Sequence, residues 1–167
     1  MTRAALIFNP ACGGASEGIE AIRAAFESHF ELLVLETSTE RDADACAQLA
    51  LASKPDLVIA AGGDGTVSMV AGVLVGTGVP LGIVARGTSN SIAAGLGIPR
   101  DLETAIDTLA RGRPHKVDTA RANGRTMMLH ASVGLHAAAV ANAARDSKNR
   151  FFVLSYLREV LDELSRL

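Results

Sequence analysis

Three strand-length apolar runs, at 4–8, 57–61 and 81–85, each end in a turn rich in Gly, Asn or Ser, and they limit what this chain can become more than any other feature. A strand with one wet face alternates apolar and polar residues, whereas one covered on both faces is apolar throughout. Between these runs the spacing turns helical, over 16–29, 42–54 and 66–75, with a further strand over 31–35. Strands and helices that alternate in this way predict an α/β fold, a parallel sheet with helices on both faces.

Ligands of such sheets lie outside the carboxyl ends of the strands. Three strand-to-helix junctions open there: Asn9-Pro10-Ala11-Cys12-Gly13-Gly14, Gly62-Gly63-Asp64-Gly65-Thr66 and Arg86-Gly87-Thr88-Ser89-Asn90. Glycine tolerates positive φ and carries no side chain, so these loops can turn sharply and bring their amides against phosphate oxygens. The hydroxyls of Thr66 and Thr88 could add donors. An acid in an anion site calls for a further role: Asp64 either positions a metal that bridges phosphates or takes a proton from an attacking hydroxyl. The bland alternative is a carboxylate that bonds loop amides. Arg86 has two readings of equal standing, a phosphate clamp and a solvated loop residue.

With 16 basic and 18 acidic residues and no long block of like charge, nothing marks a nucleic-acid partner. Cys12 and Cys46 lack metal or redox spacing, and no basic start precedes a long apolar stretch, so a reduced, cytoplasmic protein is expected, with membrane contact at most peripheral. His130 and His136 lack partners at zinc-ligand spacing. Cys12, read as lying at a helix amino terminus, could be a stabilised thiolate, though packing or substitution for Ser explains it more simply.

A helix over 101–111 follows the fourth strand, and then the alternation stops. Residues 115–121 and 126–132 flank Asn123-Gly124, the favoured pair for a type I′ turn, and read as an antiparallel hairpin. Helical spacing returns over 137–145 and 151–167. We therefore divide the chain into 1–115, a nucleotide-binding α/β domain, and 116–167, the start of a β-rich second domain. Leu154, Leu157, Leu161 and Leu167 widen the apolar surface of the last helix beyond what one hairpin covers. Either that helix packs on a partner, a second copy of the chain included, or the chain is part of a longer protein.

Taken in order, these segments resemble the catalytic domain of diacylglycerol kinases, in particular bacterial lipid kinases of the YegS and DgkB type. The matching residues are Asn9-Pro10-Ala11-Cys12-Gly13, Gly62 to Thr66, and Pro80 to Val84 with Gly87-Thr88-Ser89-Asn90 and Leu96-Gly97-Ile98-Pro99. Val117-Asp118, Asn123-Gly124-Arg125 and Ala131 to Leu135 look like the opening of that family's second domain. The resemblance implies an ATP-dependent kinase that transfers the γ-phosphate to a lipid hydroxyl with Mg²⁺, in a cleft between two domains. It also implies that Asn9, Pro10, Ala11, Cys12, Gly13, Thr37, Gly62, Gly63, Asp64, Gly65, Thr66, Val67, Ser68, Met69, Gly87, Thr88 and Asn90 line the nucleotide site, with Asp64 by the transferred group. The implied partners are a nucleotide and a diacylglycerol-like lipid.

Cys12 replaces the family's usual Ser, Ser68 and Met69 stand where many members have Asn-Glu, and Ser91 where many have Asp. Losing two carboxylates removes charge that could organise Mg²⁺, and the family's further Mg²⁺-organising Asp and catalytic Glu lie in the second domain, beyond Leu167. Two other outcomes therefore stay open: a non-catalytic or truncated nucleotide-binding module of the same fold, and an activity like that of NAD kinases, against which the Gly87 to Asn90 loop argues.

Overall fold

Leu6 and Ile7 show why the apolar runs are unbroken, because both are fully buried and they point to opposite sides of one sheet. The computed structural model describes residues 1–13, 18–129, 133, 134 and 137. Among these, strands β1 (Thr2–Phe8), β2 (Phe30–Glu36), β3 (Leu57–Gly62) and β4 (Leu81–Ala85) form a parallel sheet in the order β2-β1-β3-β4. Helices α1 (Ile19–Glu27) and α5 (Leu102–Arg111) lie over Ala4, Leu6, Phe8, Ile59, Ala61 and Val84 through Ile22, Phe26 and Ile106. Helices α2 (Ala43–Ala52), α3 (Asp64–Leu74) and α4 (Ser91–Gly95) cover Ala5, Ile7, Val58, Ala60 and Ile83. The apolar runs of β1, β3 and β4 are therefore covered on both faces, whereas edge strand β2 leaves Glu31 and Leu33 exposed.

Several boundaries follow local chemistry. The Asp42 carboxylate accepts the Ala45 amide and starts α2, and Asp101 does the same for α5 through Thr104. Lys54, with φ of 53°, ends the turn after α2. Gly82 is small because α5 sits on it: a Cβ there would lie 2.6 Å from Leu109 Cδ2.

The hairpin is shorter than its apolar pattern, with β5 (Ala120–Ala122) against β6 (Arg125–Met127). Asn123 and Gly124 take φ of 50° and 78°, the two positive values that a type I′ turn needs. Thr126 on β6 packs over Gly72 of α3. The chain parts into two compact units, Met1–Leu129 and His130–Leu167, and all of these elements belong to the first. The start of the first helix at 16, the last residues of the hairpin at 130–132 and, apart from residue 137, the helices expected over 137–145 and 151–167 lie outside the described residues. No helix among the described residues is long and apolar enough to cross a membrane.

The hydrogen bonds to Thr104 hold the Asp101 carboxyl below its ordinary value of 3.8. A carboxyl depressed in the folded state stabilises the fold above its unfolded value and loses that contribution as pH falls through the folded one. The stability gap between the chain and Asp101→Ala is thus expected to be full at neutral pH and to close as pH drops below about 4. Urea midpoints across pH measure it, and a gap that stays constant down to acid unfolding would contradict the cap.

Candidate active site

In the order β2-β1-β3-β4, the chain leaves β1 toward one edge of the sheet and β3 toward the other. The crevice between the carboxyl ends of β1 and β3 is thus the topological switch point, where open α/β sheets bind ligands. Asn9 sits there. Its backbone N–H donates to the Ala61 carbonyl at 3.0 Å, and its side-chain Oδ1 accepts the Ala11 amide at 3.0 Å, which shapes the β1 loop. Its Nδ2 donates to Thr66 Oγ1 at 2.9 Å, across 57 residues. Asparagine suits the position because it both accepts and donates.

Thr66 is 5% exposed and its oxygen is engaged by Asn9, so this hydroxyl belongs to the wall of the crevice. Of the two threonines expected to offer donors to phosphate, Thr88 is the exposed one.

The glycines are used for space. Gly62, Gly63 and Gly65 have no positive φ, contrary to the expectation drawn from their tolerance of it. A Cβ on Gly87 would lie 2.6 Å from Gly63 Cα, and one on Gly63 would lie 3.2 Å from Gly87 Cα. The loops after β3 and β4 thus touch backbone to backbone. Asn90 closes the second loop on itself: Oδ1 accepts the Gly87 amide and Nδ2 donates to the Gly87 carbonyl, both at 2.7 Å, with Asn90 itself at φ of 50°. That ring leaves Thr88 and Ser89 outermost.

Helix α3 begins at Asp64, two residues earlier than its apolar spacing implied, after an extended Gly63. No side chain caps it, and a helix amino terminus without a side-chain cap is suited to an anion. The Asp64 carboxylate instead reaches α4, accepting the Ser91 amide on Oδ2 at 3.0 Å and the Ile92 amide on Oδ1 at 2.8 Å.

Arg86 is half-buried rather than a solvated loop residue. Its guanidinium lies 4.8 Å above the Phe8 ring, and Nη2 donates to the Cys12 carbonyl at 3.3 Å. A cation that stacks on an aromatic face and holds a neighbouring carbonyl fixes the β1 loop to the end of β4. Arg100 similarly donates from Nη2 to the Ser89 carbonyl at 3.1 Å. Cys12 stands in a bend facing Gly63, and the following helix starts only at Ile19, so Cys12 does not occupy a helix amino terminus.

Of the other predicted site residues, Pro10 and Ala11 are exposed on the β1 loop, and Gly13 turns it with φ of 100°. Thr37 lies just past β2, its amide donating to the Phe8 carbonyl at 2.9 Å. Val67 points into the core, and the half-buried Met69 packs against the same cluster; Ser68 is half-buried beside them. Sequence reading missed α4, the Asp64 bonds to it and the reach of Arg100. No nearby cue marks α4, because its cap comes from a residue 27 positions upstream.

The site fits a polyphosphate: an open helix terminus, two arginines fixed at its rim and exposed hydroxyls at Thr88 and Ser89. It does not fit a metal by itself, since among the described residues no group of three or more His, Cys, Asp or Glu could hold one.

A family profile described as the diacylglycerol kinase catalytic domain matches residues 3–122. An uncharacterised protein of Synechocystis sp. is 38% identical over 165 residues, a span of 91% of this chain and 38% of that protein. A diacylglycerol kinase of Bacillus subtilis is 36% identical over 140 residues, covering 75% and 43%. The crystal structure of a diacylglycerol kinase from Bacillus anthracis superposes with a TM-score of 0.64 at 30% identity, over 75% of this chain and 45% of that one. The chain thus spans about two fifths of the length of these curated relatives.

Proposed function

The chain belongs to the diacylglycerol kinase catalytic domain family, and from that premise we propose that Met1–Leu129 is the ATP-binding half of a lipid kinase that transfers the γ-phosphate to the free hydroxyl of a diacylglycerol-like lipid. One observation carries the reading. The loops after β1, β3 and β4 are bound to one another at the switch point, around the uncapped amino terminus of α3. In this reading the α3 amides and Thr88 hold phosphate oxygens, and Arg86 and Arg100 fix the loops and offset negative charge. Asn9 to Gly13, Thr37 and Gly62 to Met69 frame the nucleotide, and Asp64 stands near the transferred group. Bound Mg²⁺ would neutralise the phosphates, but the described residues form no ligand set for it.

The test is thermal unfolding with and without millimolar Mg-ATP. Ligand at about a hundred times its Kd stabilises by about 2.7 kcal/mol, a rise of several degrees, and no rise at all would sink the reading.

A second reading, a nucleotide-binding module that does not transfer phosphate, is favoured by one feature: both oxygens of Asp64 already accept backbone amides. Radiolabelled phosphate reaching diacylglycerol would overturn this second reading.

A further inference from the structure

Helix α4 is five residues long and has no cap of its own. Its N-cap residue Asn90 is held in the left-handed region, φ 50° and ψ 43°, with its side chain turned back onto Gly87. A single helical turn does not hold itself together in water. Two things hold this one. Ile92 and Ala93 are buried on the α2 and α3 side of the sheet. The Asp64 carboxylate, from the first turn of α3, takes two of the first-turn amides, one on each oxygen. We infer that Asp64 is a positioning residue: it caps α4 from the first turn of α3 and so fixes the Gly87 to Asn90 loop against the amino terminus of α3.

Charge follows the same geometry. An acid at the first position of α3 would normally confront any anion bound at that terminus. With one oxygen on each of two α4 amides, the Asp64 charge is met by donors of α4, and the α3 amides are left to the phosphates. The acid and the anion site are therefore compatible without a metal between them. In this role Asp64 neither abstracts the hydroxyl proton nor serves as the principal metal ligand. The inference rests on the nucleotide-site reading for its consequence, though not for the capping itself.

The experiment uses the full chain, Asp64→Ala and, because the alanine variant could fold poorly, Asp64→Asn, whose remaining oxygen can still accept one amide. Amide hydrogen exchange is followed by NMR without nucleotide. Exchange at Ser91 and Ile92 is expected to speed up by about tenfold or more in Asp64→Ala and by less in Asp64→Asn, with the amides of β1 and β3 unchanged. Unaltered exchange at both positions in either folded variant would overturn the cap. ATP affinity is then measured with Mg²⁺ and with the metal chelated. A positioning residue loses the same factor in both, about tenfold for alanine with partial recovery for asparagine. A loss confined to the Mg²⁺ condition would make Asp64 a metal ligand and overturn the assignment. If the unaltered chain binds no ATP, the proposed function fails, and the exchange rates alone decide the cap.

Discussion

Gly87→Ala is expected to destabilise the fold by about 1–3 kcal/mol and to weaken ATP binding by at least about tenfold. The added methyl would lie 2.6 Å from Gly63 Cα and 2.9 Å from Asn90 Oδ1. The first neighbour is backbone and cannot rotate away. The second already makes one of the two bonds that close the loop. The loops must therefore separate, which strains Asn90 at its positive φ and pulls Ser91 and Ile92 from the Asp64 carboxylate. Gly63→Ala is the internal comparison: its methyl would stand 3.2 Å from Gly87 Cα, a contact that a few tenths of an ångström relieve. Urea unfolding and ATP-dependent thermal shifts measured on both variants check the ordering. A Gly87→Ala protein with unchanged urea midpoint and unchanged ATP shift would show that the loop contact is unimportant.

What the sequence made legible follows from which forces are local. The strands were readable because burial on both faces removes polar residues altogether, so Leu6, Ile7, Val58 and Ile59 announce themselves without knowledge of their partners. Caps at Asp42 and Asp101 lie three residues from the amides they accept, and the Asn123-Gly124 turn carries its own φ preference. The site was legible as three loops at one edge, but not in its internal logic. The Asn9 to Thr66 bond spans 57 positions and the Asp64 bonds to α4 span 27 and 28, and nothing near either end of each pair in the sequence announces the other. For the same reason glycines chosen for close approach read as glycines chosen for φ: the two uses differ only in what stands opposite, and Gly63 and Gly87 stand opposite each other. Arg86 posed the same difficulty, since its place over Phe8 depends on the register of β4 beside β3 and of β3 beside β1.

Phe26→Ala should separate the stability of the fold from the geometry of the site. Phe26 is fully buried on α1, with its ring 5.9 Å from that of Phe30 and tilted by 43°. Only Ile22 and Phe26 on α1 are buried, so one substitution removes much of what docks this helix on the sheet. Truncating a buried phenylalanine costs about 3–5 kcal/mol, a large share of the 5–15 kcal/mol that typically stabilises a domain. The cavity would open under α1, on the face that carries Leu6, Ile59 and Ile106. The Asn9, Asp64 and Asn90 bonds join the strand ends to α3 and α4, whose apolar sides pack on the other face. The folded variant is therefore expected to keep its ATP-dependent thermal shift within a degree or so, although its unliganded transition falls by about 10 °C or more. A drop in stability below about 1 kcal/mol would mean that the sheet does not depend on α1 for this face. An ATP shift that disappears while the sheet stays folded would mean that the helix layer under α1 governs the loops, and the three-loop site would no longer be a property of the switch point alone.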